Sequence, residues 1–406
     1  MKRKFNAVSL WFTILSFFAS VFNFLYYPIV AQFLDLAQFG DTQIGVSFIM
    51  QAAALFSSLN LVALYLSAKH TSAEGIIHKL EQVLLVPSIL GALLIAIFAH
   101  PISEILQLHS PGLLYWLSVI FILNIPASTW VGTLQGEGAF IKSGLISLIS
   151  SLTKIVASVV FITAGLGAYG AILGILAGSL IIMPLCLLLQ RPRSLGFKKT
   201  FRLPTKDDFI ILTRYKSVTL TLISFILLSL AGTFDILFAK AQLPPSSAGI
   251  FAQLSITAKI PYFAFLPVSM ILFGRFIKNP GRQINIVLTY TVGVLAMSVI
   301  TYLLLPVIAQ TLFSLELEVA MAHTAAWLLA AFGSYTLIFL MNYLLVSREQ
   351  IKTAVFMAIA TLVLSLTSLT LATGAEEIAR NYAVSLVAVM LLSLLCLGYN
   401  GKYAKK

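Results

Sequence analysis

Residues 190–216 read QRPRSLGFKKTFRLPTKDDFIILTRYK, and they form the one long polar stretch in an otherwise apolar chain. The stretch is strongly basic and contains Pro192 and Pro204, which is typical of a connecting segment. Apolar sequence of comparable length lies on either side. We therefore predict three parts: an N-terminal lobe at 1–190, a basic cytoplasmic linker at 191–216, and a C-terminal lobe at 217–406.

The composition places the chain in a membrane. Hydrophobic residues make up 59% of the sequence and charged residues only 10%, and the mean hydropathy is +0.99. A soluble domain has roughly 25% charged residues, so a water-soluble fold of this length is excluded. A membrane-spanning helix needs about 20 apolar residues, and the chain has room for about a dozen. The spans are predicted at 8–32, 43–66, 80–99, 112–133, 144–165, 168–189, 217–240, 247–274, 284–309, 319–346, 351–372 and 378–399.

Basic residues fall into every second gap between the apolar blocks. Residues 2–4 read KRK, the gap at 34–43 has no Lys or Arg, the gap at 69–79 has two lysines, and the gap at 100–111 again has none. Basic loops stay on the cytoplasmic side. The pattern predicts a bacterial inner-membrane protein with both termini in the cytoplasm. The net charge of +12 is spread over short segments, which fits anionic lipid headgroups and argues against nucleic acid as a partner.

The gaps between the spans also limit the function. The predicted outer loops are very short, so they leave no room for a catalytic domain of the kind that membrane transferases and ligases use. No Ser–His–Asp pattern and no P-loop is present, and we expect no cofactor. His100 and His109 lack metal-ligand spacing. If the chain moves a solute, the energy would therefore come from Na⁺ or H⁺ coupling or from the substrate gradient.

Three ionisable residues fall inside predicted spans: Lys154 in span 5, Asp235 in span 7 and Lys259 in span 8. A charge at the bilayer centre costs about 2.5–3.5 kcal/mol on insertion scales, so we expect these groups to face a wet cavity or one another. One interpretation is that the two lysines attract phosphate, which an ammonium suits as a point charge. The other is a structural pair of Asp235 with one lysine.

The neighbours of Lys259 favour a functional role. Pro261 and Pro267 interrupt the helical hydrogen bonds just after it, and freed carbonyl groups are tolerated where they line a cavity. Gln253, Thr257 and Tyr262 add polar groups nearby. Gln253 and Thr257 are four residues apart and therefore share one helix face.

Three stretches have a recognisable arrangement. Residues 22–68 combine a span that runs into Tyr26-Tyr27-Pro28, a short outer loop that ends in Phe39-Gly40, and a long second helix. Residues 134–140 read LQGEGAF and would link spans 4 and 5. Residues 235–275 begin with an acidic residue late in span 7, continue through LPP and AGIFA, and end in a proline-containing span 8.

Together these stretches resemble the multidrug/oligosaccharidyl-lipid/polysaccharide (MOP) exporter superfamily, and within it the Wzx-type polysaccharide flippases. The resemblance implies an all-α polytopic membrane protein of about 12 transmembrane helices, in two six-helix lobes around a central cavity of the MATE/MOP type. The expected function is to move undecaprenyl-pyrophosphate-linked oligosaccharide across the cytoplasmic membrane by alternating access. Membrane lipids, and glycan polymerases or glycosyltransferases, would be its partners.

The resemblance also implies roles for individual residues. Cationic residues in span 8 and in the first half of related flippases contact the substrate phosphates, and the first helix bends during transport. Pro28 is therefore a predicted hinge, and Pro261, which interrupts span 8 just after Lys259, is the second. The predicted cavity residues are Lys259, Lys154, Asp235, Asn23, Tyr26, Gln253, Thr257 and Tyr262.

Other functions remain open at this point. A drug/cation antiporter of the same superfamily would need acidic residues in the cavity, and only Asp235 is available there, so the excess of lysine favours an anionic substrate. A major-facilitator transporter shares the two-by-six layout, but residues 67–71 (SAKHT) do not match that family's motif after span 2. The charges inside the spans argue against a purely structural membrane protein.

Overall fold

The computed structural model describes residues 2–69, 74–109, 112–189, 216–278 and 283–403. Within these ranges the chain is helical almost throughout. The predicted linker lies outside the described residues apart from Lys216, so its boundaries stay a prediction. Contacts among the described residues group into two compact units, Met1–Lys216 and Ser217–Lys406.

The helices of the N-terminal unit follow the predicted spans closely. Spans 1, 2, 4 and 5 are each a single long helix, and spans 3 and 6 are each built from two helices. The helices are α1 (Lys2–Ala31), α2 (Leu36–Lys69), α3 (Glu74–Ile97), α4 (Ala99–Ile105), α5 (Gly112–Gly136), α6 (Phe140–Phe161), α7 (Gly167–Leu180) and α8 (Ile182–Leu189).

The C-terminal unit is built in the same manner. Spans 7, 8 and 9 are each divided into two helices, and spans 10 to 12 are continuous. The helices are α9 (Lys216–Ala231), α10 (Phe234–Gln242), α11 (Pro245–Ala258), α12 (Ile260–Lys278), α13 (Gln283–Leu303), α14 (Leu305–Phe313), α15 (Val319–Ser347), α16 (Ile351–Thr370) and α17 (Ala375–Tyr403).

The helices have the length and apolarity of membrane spans. Among the described residues, 9 helical segments are long and apolar enough to cross a bilayer, and the bent pair α3–α4 raises the number to 10. One of these segments, Phe140–Leu189, contains the predicted spans 5 and 6. A helix satisfies its own backbone hydrogen bonds, which the hydrocarbon core demands. The protein is therefore a multi-pass membrane protein, and the predicted fold class is confirmed.

Two of the helix breaks lie beside the ionisable residues of the C-terminal unit. Helix α9 ends at Ala231 and α10 begins at Phe234, one residue before Asp235. Helix α11 ends at Ala258, and Lys259 is its C-terminal cap. Pro261 is the second residue of α12, where a proline is well tolerated because its missing N–H would lack an intrahelical partner. The predicted interruption is therefore found next to Lys259 at Pro261, whereas α12 continues through Pro267 to Lys278.

Pro28 has a different setting. It lies inside α1, its side chain is buried, and the helix continues past it to Ala31. The Pro28 carbonyl still accepts a hydrogen bond from the Gln32 N–H at 3.3 Å. The hinge roles of Pro28 and Pro261 stay predictions.

Small residues bring α6 and α7 close together. The turn between them has Gly165 at φ 92° and Gly167 at φ 50°, a backbone conformation that glycine adopts without steric cost. Farther along α7, a Cβ on Gly174 would collide with Ser158 of α6, and one on Gly178 would lie 2.9 Å from the Cβ of Lys154. Close packing through glycine is common between membrane helices. Here it fixes the position of Lys154.

Helix α15 occupies the centre of the C-terminal unit. Residues 331–345 along it are all buried, and it packs against α11, α12, α13, α16 and α17. A helix that is buried on every side belongs to the core of its unit. Its aromatic side chains therefore surround the helix breaks next to Asp235 and Lys259.

Candidate functional site

Asp235 and Lys259 form a buried ion pair in the C-terminal unit. The Lys259 Nζ lies 3.5 Å from the Asp235 Oδ1, and the Ser255 hydroxyl donates a hydrogen bond to the Asp235 Oδ2. Asp235 has 0% and Lys259 1% of its surface exposed. The two carboxylate oxygens thus have different partners: one faces an ammonium group and the other a hydroxyl group.

The helix breaks place each charge at a favourable helix end. Asp235 lies in the first turn of α10, where the helix dipole is positive, and Lys259 caps the C-terminus of α11, where the dipole is negative. Each arrangement contributes typically 0.3–1 kcal/mol, and up to about 2 kcal/mol in partly buried sites. The two half-helices therefore help to stabilise a charged pair that would otherwise be costly in a membrane.

Ser255 and Lys259 reach the same carboxylate because they are four residues apart. Residues at this spacing lie on one face of a helix, and the backbone N–H of Lys259 donates to the Ser255 carbonyl at 3.0 Å. The helical hydrogen-bond pattern of α11 thus extends to Lys259. This spacing was visible in the sequence, although Ser255 was not among the predicted cavity residues.

Aromatic side chains of α15 and α17 enclose the pair. The Lys259 Nζ lies 4.7 Å from the centre of the Phe332 ring, a cation–π contact. Phe332 in turn packs edge-on against Tyr335 and Tyr382, with ring centres 6.3 Å and 5.8 Å apart. Both tyrosines are almost fully buried. Aromatic rings therefore shield the pair on this side.

Three further predicted residues lie in the same unit. Tyr262 packs against Tyr335 with a ring separation of 5.3 Å, which joins it to the aromatic surroundings of the pair. The Thr257 hydroxyl donates to the Gln253 carbonyl at 2.9 Å. Gln253 is 4% exposed, and its side-chain Oε1 accepts no hydrogen bond from the described residues. Gln253 and Thr257 thus share a face, as expected, but among the described hydrogen bonds no side-chain bond joins either of them to Asp235 or Lys259.

The N-terminal unit holds a second polar cluster, which brings together three predicted residues. The Lys154 Nζ donates to the Asn23 Oδ1 at 2.6 Å, and it lies 4.5 Å from the centre of the Tyr26 ring. The Asn23 Nδ2 donates to the Ser151 Oγ at 2.9 Å. The Tyr26 hydroxyl donates to the Ala171 carbonyl at 3.1 Å. Helices α1, α6 and α7 therefore meet at this cluster.

The two lysines have different partners. Lys259 is buried against a carboxylate, whereas Lys154 is only half-buried and its contacts in the described part of the chain are with an amide oxygen and a ring. An amide oxygen accepts a hydrogen bond but cannot neutralise the ammonium charge. Protonated Lys154 thus has no counter-charge among the described residues, and of the two lysines it is the one with donors left for an anionic group.

Several buried polar residues were not anticipated from the sequence. Glu81 is 1% exposed and accepts a hydrogen bond from the Thr129 hydroxyl. Lys240, in the last turn of α10, is equally buried. Asp41, expected in an outer loop, is 3% exposed, and its Oδ2 lies 2.8 Å from the Nδ1 of His109. Glu81 and Lys240 fall at the ends of predicted spans, where hydropathy alone does not separate buried from solvated charge.

The fold matches that of known transporters. One solved structure, an inward-facing multidrug resistance MATE family transporter of the MOP superfamily, has a TM-score of 0.70 and 14% identity, with 94% of this chain and 96% of that chain covered. The chain has the MATE fold. A mutant of the Vibrio cholerae MATE transporter VcmN gives a TM-score of 0.61 and 15% identity, with 99% and 98% of the two chains covered.

A MATE transporter in a straight conformation is similar over the same extent, with a TM-score of 0.62, 15% identity and coverage of 98% and 96%. No protein-family model matches the sequence, and no curated protein matches it. The similarity to these transporters therefore lies in the fold, while the sequence identity is only 14–15%.

Proposed function

We propose that this protein is a secondary transporter of the MATE type, which exchanges H⁺ for an organic cation across the membrane. The similarity to solved MATE transporters over nearly the whole chain supports this proposal, and one of those proteins is a multidrug resistance transporter. The proposal describes a transporter rather than an enzyme. It also retains the expected location in the bacterial cytoplasmic membrane with both termini in the cytoplasm, because of the distribution of basic residues.

The buried Asp235–Lys259 pair is the observation on which the proposal depends. An ionisable residue inside a membrane span is a functional site by default, and this one has a partner whose charge it must balance. When a proton binds Asp235, the carboxyl group loses its charge and the attraction to Lys259 ends. Protonation would thus separate Asp235, at the start of α10, from Lys259, at the end of α11. Proton binding would in this way be coupled to movement of spans 7 and 8.

The same geometry favours H⁺ over Na⁺ as the coupling ion. A sodium ion would need several oxygen ligands around it, and at Asp235 it would meet the Lys259 ammonium 3.5 Å from the Oδ1. The ammonium already occupies one side of this carboxylate, where oxygen ligands for a sodium ion would be needed. A proton needs no set of oxygen ligands, because it bonds to a single carboxylate oxygen.

The proposal is tested with purified protein in liposomes that contain a trapped pH dye. Addition of ethidium, an organic cation, to one side should drive proton movement in the opposite direction for the wild type. Asp235→Asn should abolish this proton movement. Glu318→Gln is the matched control, because Glu318 is an exposed carboxylate of the same unit and its loss should leave the exchange unchanged. Wild-type protein that moves no protons with ethidium would contradict the proposal.

The Lys154 cluster favours a second candidate, the lipid-linked oligosaccharide flippase expected from the sequence. The uncompensated ammonium of Lys154 could hold a phosphate of undecaprenyl-pyrophosphate-linked oligosaccharide, and glycan polymerases or glycosyltransferases would then be partners. Lys259 suits this role less well, because Asp235 already neutralises it. This candidate requires that Lys154→Ala abolishes export of surface glycan, while Lys352→Ala, at an exposed lysine, has no effect. Normal surface glycan in Lys154→Ala would exclude it.

A further inference from the structure

The break in span 7 is held by two tyrosines that lie far away in the sequence. The Tyr382 hydroxyl donates to the Ala231 carbonyl at 2.7 Å, and the Tyr335 hydroxyl donates to the Leu228 carbonyl at 2.7 Å. Both carbonyls belong to the last turn of α9. The last four carbonyl groups of a helix have no intrahelical partner, and in a membrane such groups must be satisfied by something other than water.

The Ala231 carbonyl has a second potential partner. In a continuous α-helix it would accept a hydrogen bond from the N–H four residues later, which belongs to Asp235. The Tyr382 hydroxyl already gives this carbonyl one hydrogen-bond partner. Helix α10 begins separately at Phe234, and Asp235 lies in its first turn. The hydroxyl group therefore satisfies the carbonyl without requiring span 7 to close into one helix.

Tyr335 contributes in two ways. Its hydroxyl satisfies the Leu228 carbonyl, which also accepts from the Gly232 N–H at 3.1 Å. Its ring fills the space beside Gly232, where a Cβ would collide with the tyrosine hydroxyl. The chain at the break thus passes closely beneath Tyr335, and this approach requires glycine at position 232.

The same aromatic groups contact the other half of the ion pair. Phe332 packs between the two tyrosines and carries the Lys259 ammonium on its ring face, 4.7 Å from its centre. One aromatic cluster therefore contacts both the end of α9, just before the helix that carries Asp235, and the ammonium of Lys259. Its members come from α15 and α17, neither of which carries a charge of the pair.

We propose that Tyr335 and Tyr382 are positioning residues, which keep span 7 broken so that Asp235 faces Lys259. This proposal rests on the function proposed above for the pair, but its structural part can be tested separately. Without the Tyr382 hydroxyl, the Ala231 carbonyl gains by accepting from the Asp235 N–H. Span 7 then becomes continuous, and because residues on a helix are about 100° apart, the carboxylate turns away from Lys259.

Hydrogen–deuterium exchange of the purified full chain tests the structural part. Tyr382→Phe should slow exchange in the peptide that contains Asp235 at least tenfold, because that N–H acquires a helical partner. This direction is informative, since a substitution that only loosens the protein accelerates exchange. Unchanged or faster exchange around Asp235 would overturn the proposal.

Tyr290→Phe is the matched control. Tyr290 is another buried tyrosine of the same unit whose hydroxyl donates to a backbone carbonyl, that of Phe265, at 3.1 Å. Its loss should leave exchange around Asp235 unchanged. Tyr335→Phe should act in the same direction as Tyr382→Phe but more weakly, because the Leu228 carbonyl keeps its bond from Gly232.

Proton exchange with ethidium in liposomes separates the positioning role from the proposed function. If the wild type exchanges protons and Tyr382→Phe loses this activity together with slowed deuterium exchange, positioning is supported. If deuterium exchange slows but proton exchange persists at the wild-type rate, the tyrosine does not position the coupling group and the proposal is overturned. If the wild type itself exchanges no protons, the proposed function fails, and the deuterium exchange result alone decides whether the tyrosines hold the break.

Discussion

Lys259 reaches Asp235 from the C-terminal end of α11, while Asp235 lies at the N-terminal end of α10, so the two half-helices meet through opposite charges at opposite dipole ends. Each charge of the pair lies next to a break, Asp235 in span 7 and Lys259 in span 8. Such discontinuous helices commonly form the ion and substrate sites of membrane transporters. The pair and the breaks are thus one structural feature.

The first prediction concerns the stability of the pair. Asp235→Asn leaves a buried ammonium without its counter-charge, which costs about 3–5 kcal/mol for a buried pair. The free energy of unfolding in detergent should fall accordingly. The double variant Asp235→Asn, Lys259→Met should recover most of this loss, because no charge remains to be buried. A double variant that is as unstable as the single one would show that charge imbalance is not the cause.

The second prediction concerns the identity of the cation. Lys259→Arg keeps the charge on a side chain of similar reach, and a guanidinium also stacks on an aromatic ring such as that of Phe332. We expect proton exchange to be reduced but measurable in Lys259→Arg and absent in Lys259→Ala. An equal loss of proton exchange in Lys259→Arg and Lys259→Ala would indicate that the geometry of the ammonium group is essential, rather than the positive charge alone.

A third prediction addresses the contact between α6 and α7. A Cβ at position 174 would collide with Ser158, so Gly174→Ala should force the helices apart and lower the thermal unfolding temperature. Overpacking of this kind costs typically 1–3 kcal/mol. Gly91→Ala is the control, because nothing lies within 4 Å of its Cβ position. That substitution should be neutral or slightly stabilising.

The fourth prediction tests the membrane orientation. Cysteine introduced at Glu316, in a short connection with no Lys or Arg near it, should react with a membrane-impermeant maleimide in intact cells. Cysteine at Lys352 should react only after the cells are permeabilised, because basic connections stay in the cytoplasm. Both variants need Cys186 and Cys396 replaced first. Labelling of Lys352→Cys in intact cells would show that the predicted orientation is wrong.

Much of the fold could be predicted from hydropathy. All twelve predicted spans coincide with helices, because apolar runs of sufficient length have no other stable form in a bilayer. The broken helices were partly visible as well: Pro261 and the ionisable Lys259 mark the break in span 8. The break in span 7 has no proline, and Gly232 is the only local signal of it in the sequence.

The candidate site was less predictable. Asp235 with a lysine was one of two interpretations, and the sequence offered two lysines as partners. The choice of Lys259 depends on the placement of spans 7 and 8 side by side. Tyr335 and Tyr382 could not be found, because they lie 107 and 151 residues from the carbonyls that they bind. Buried tyrosines in apolar helices look alike in sequence, whatever their hydroxyl groups bind.

The role of the Asp235–Lys259 pair is tested most directly by proton flux. Purified wild-type protein and the Asp235→Asn variant, in liposomes with a trapped pH dye, receive the same ethidium gradient. The account predicts proton movement opposite to ethidium in the wild type and none above the protein-free background in Asp235→Asn. Equal proton movement in the two proteins would contradict it.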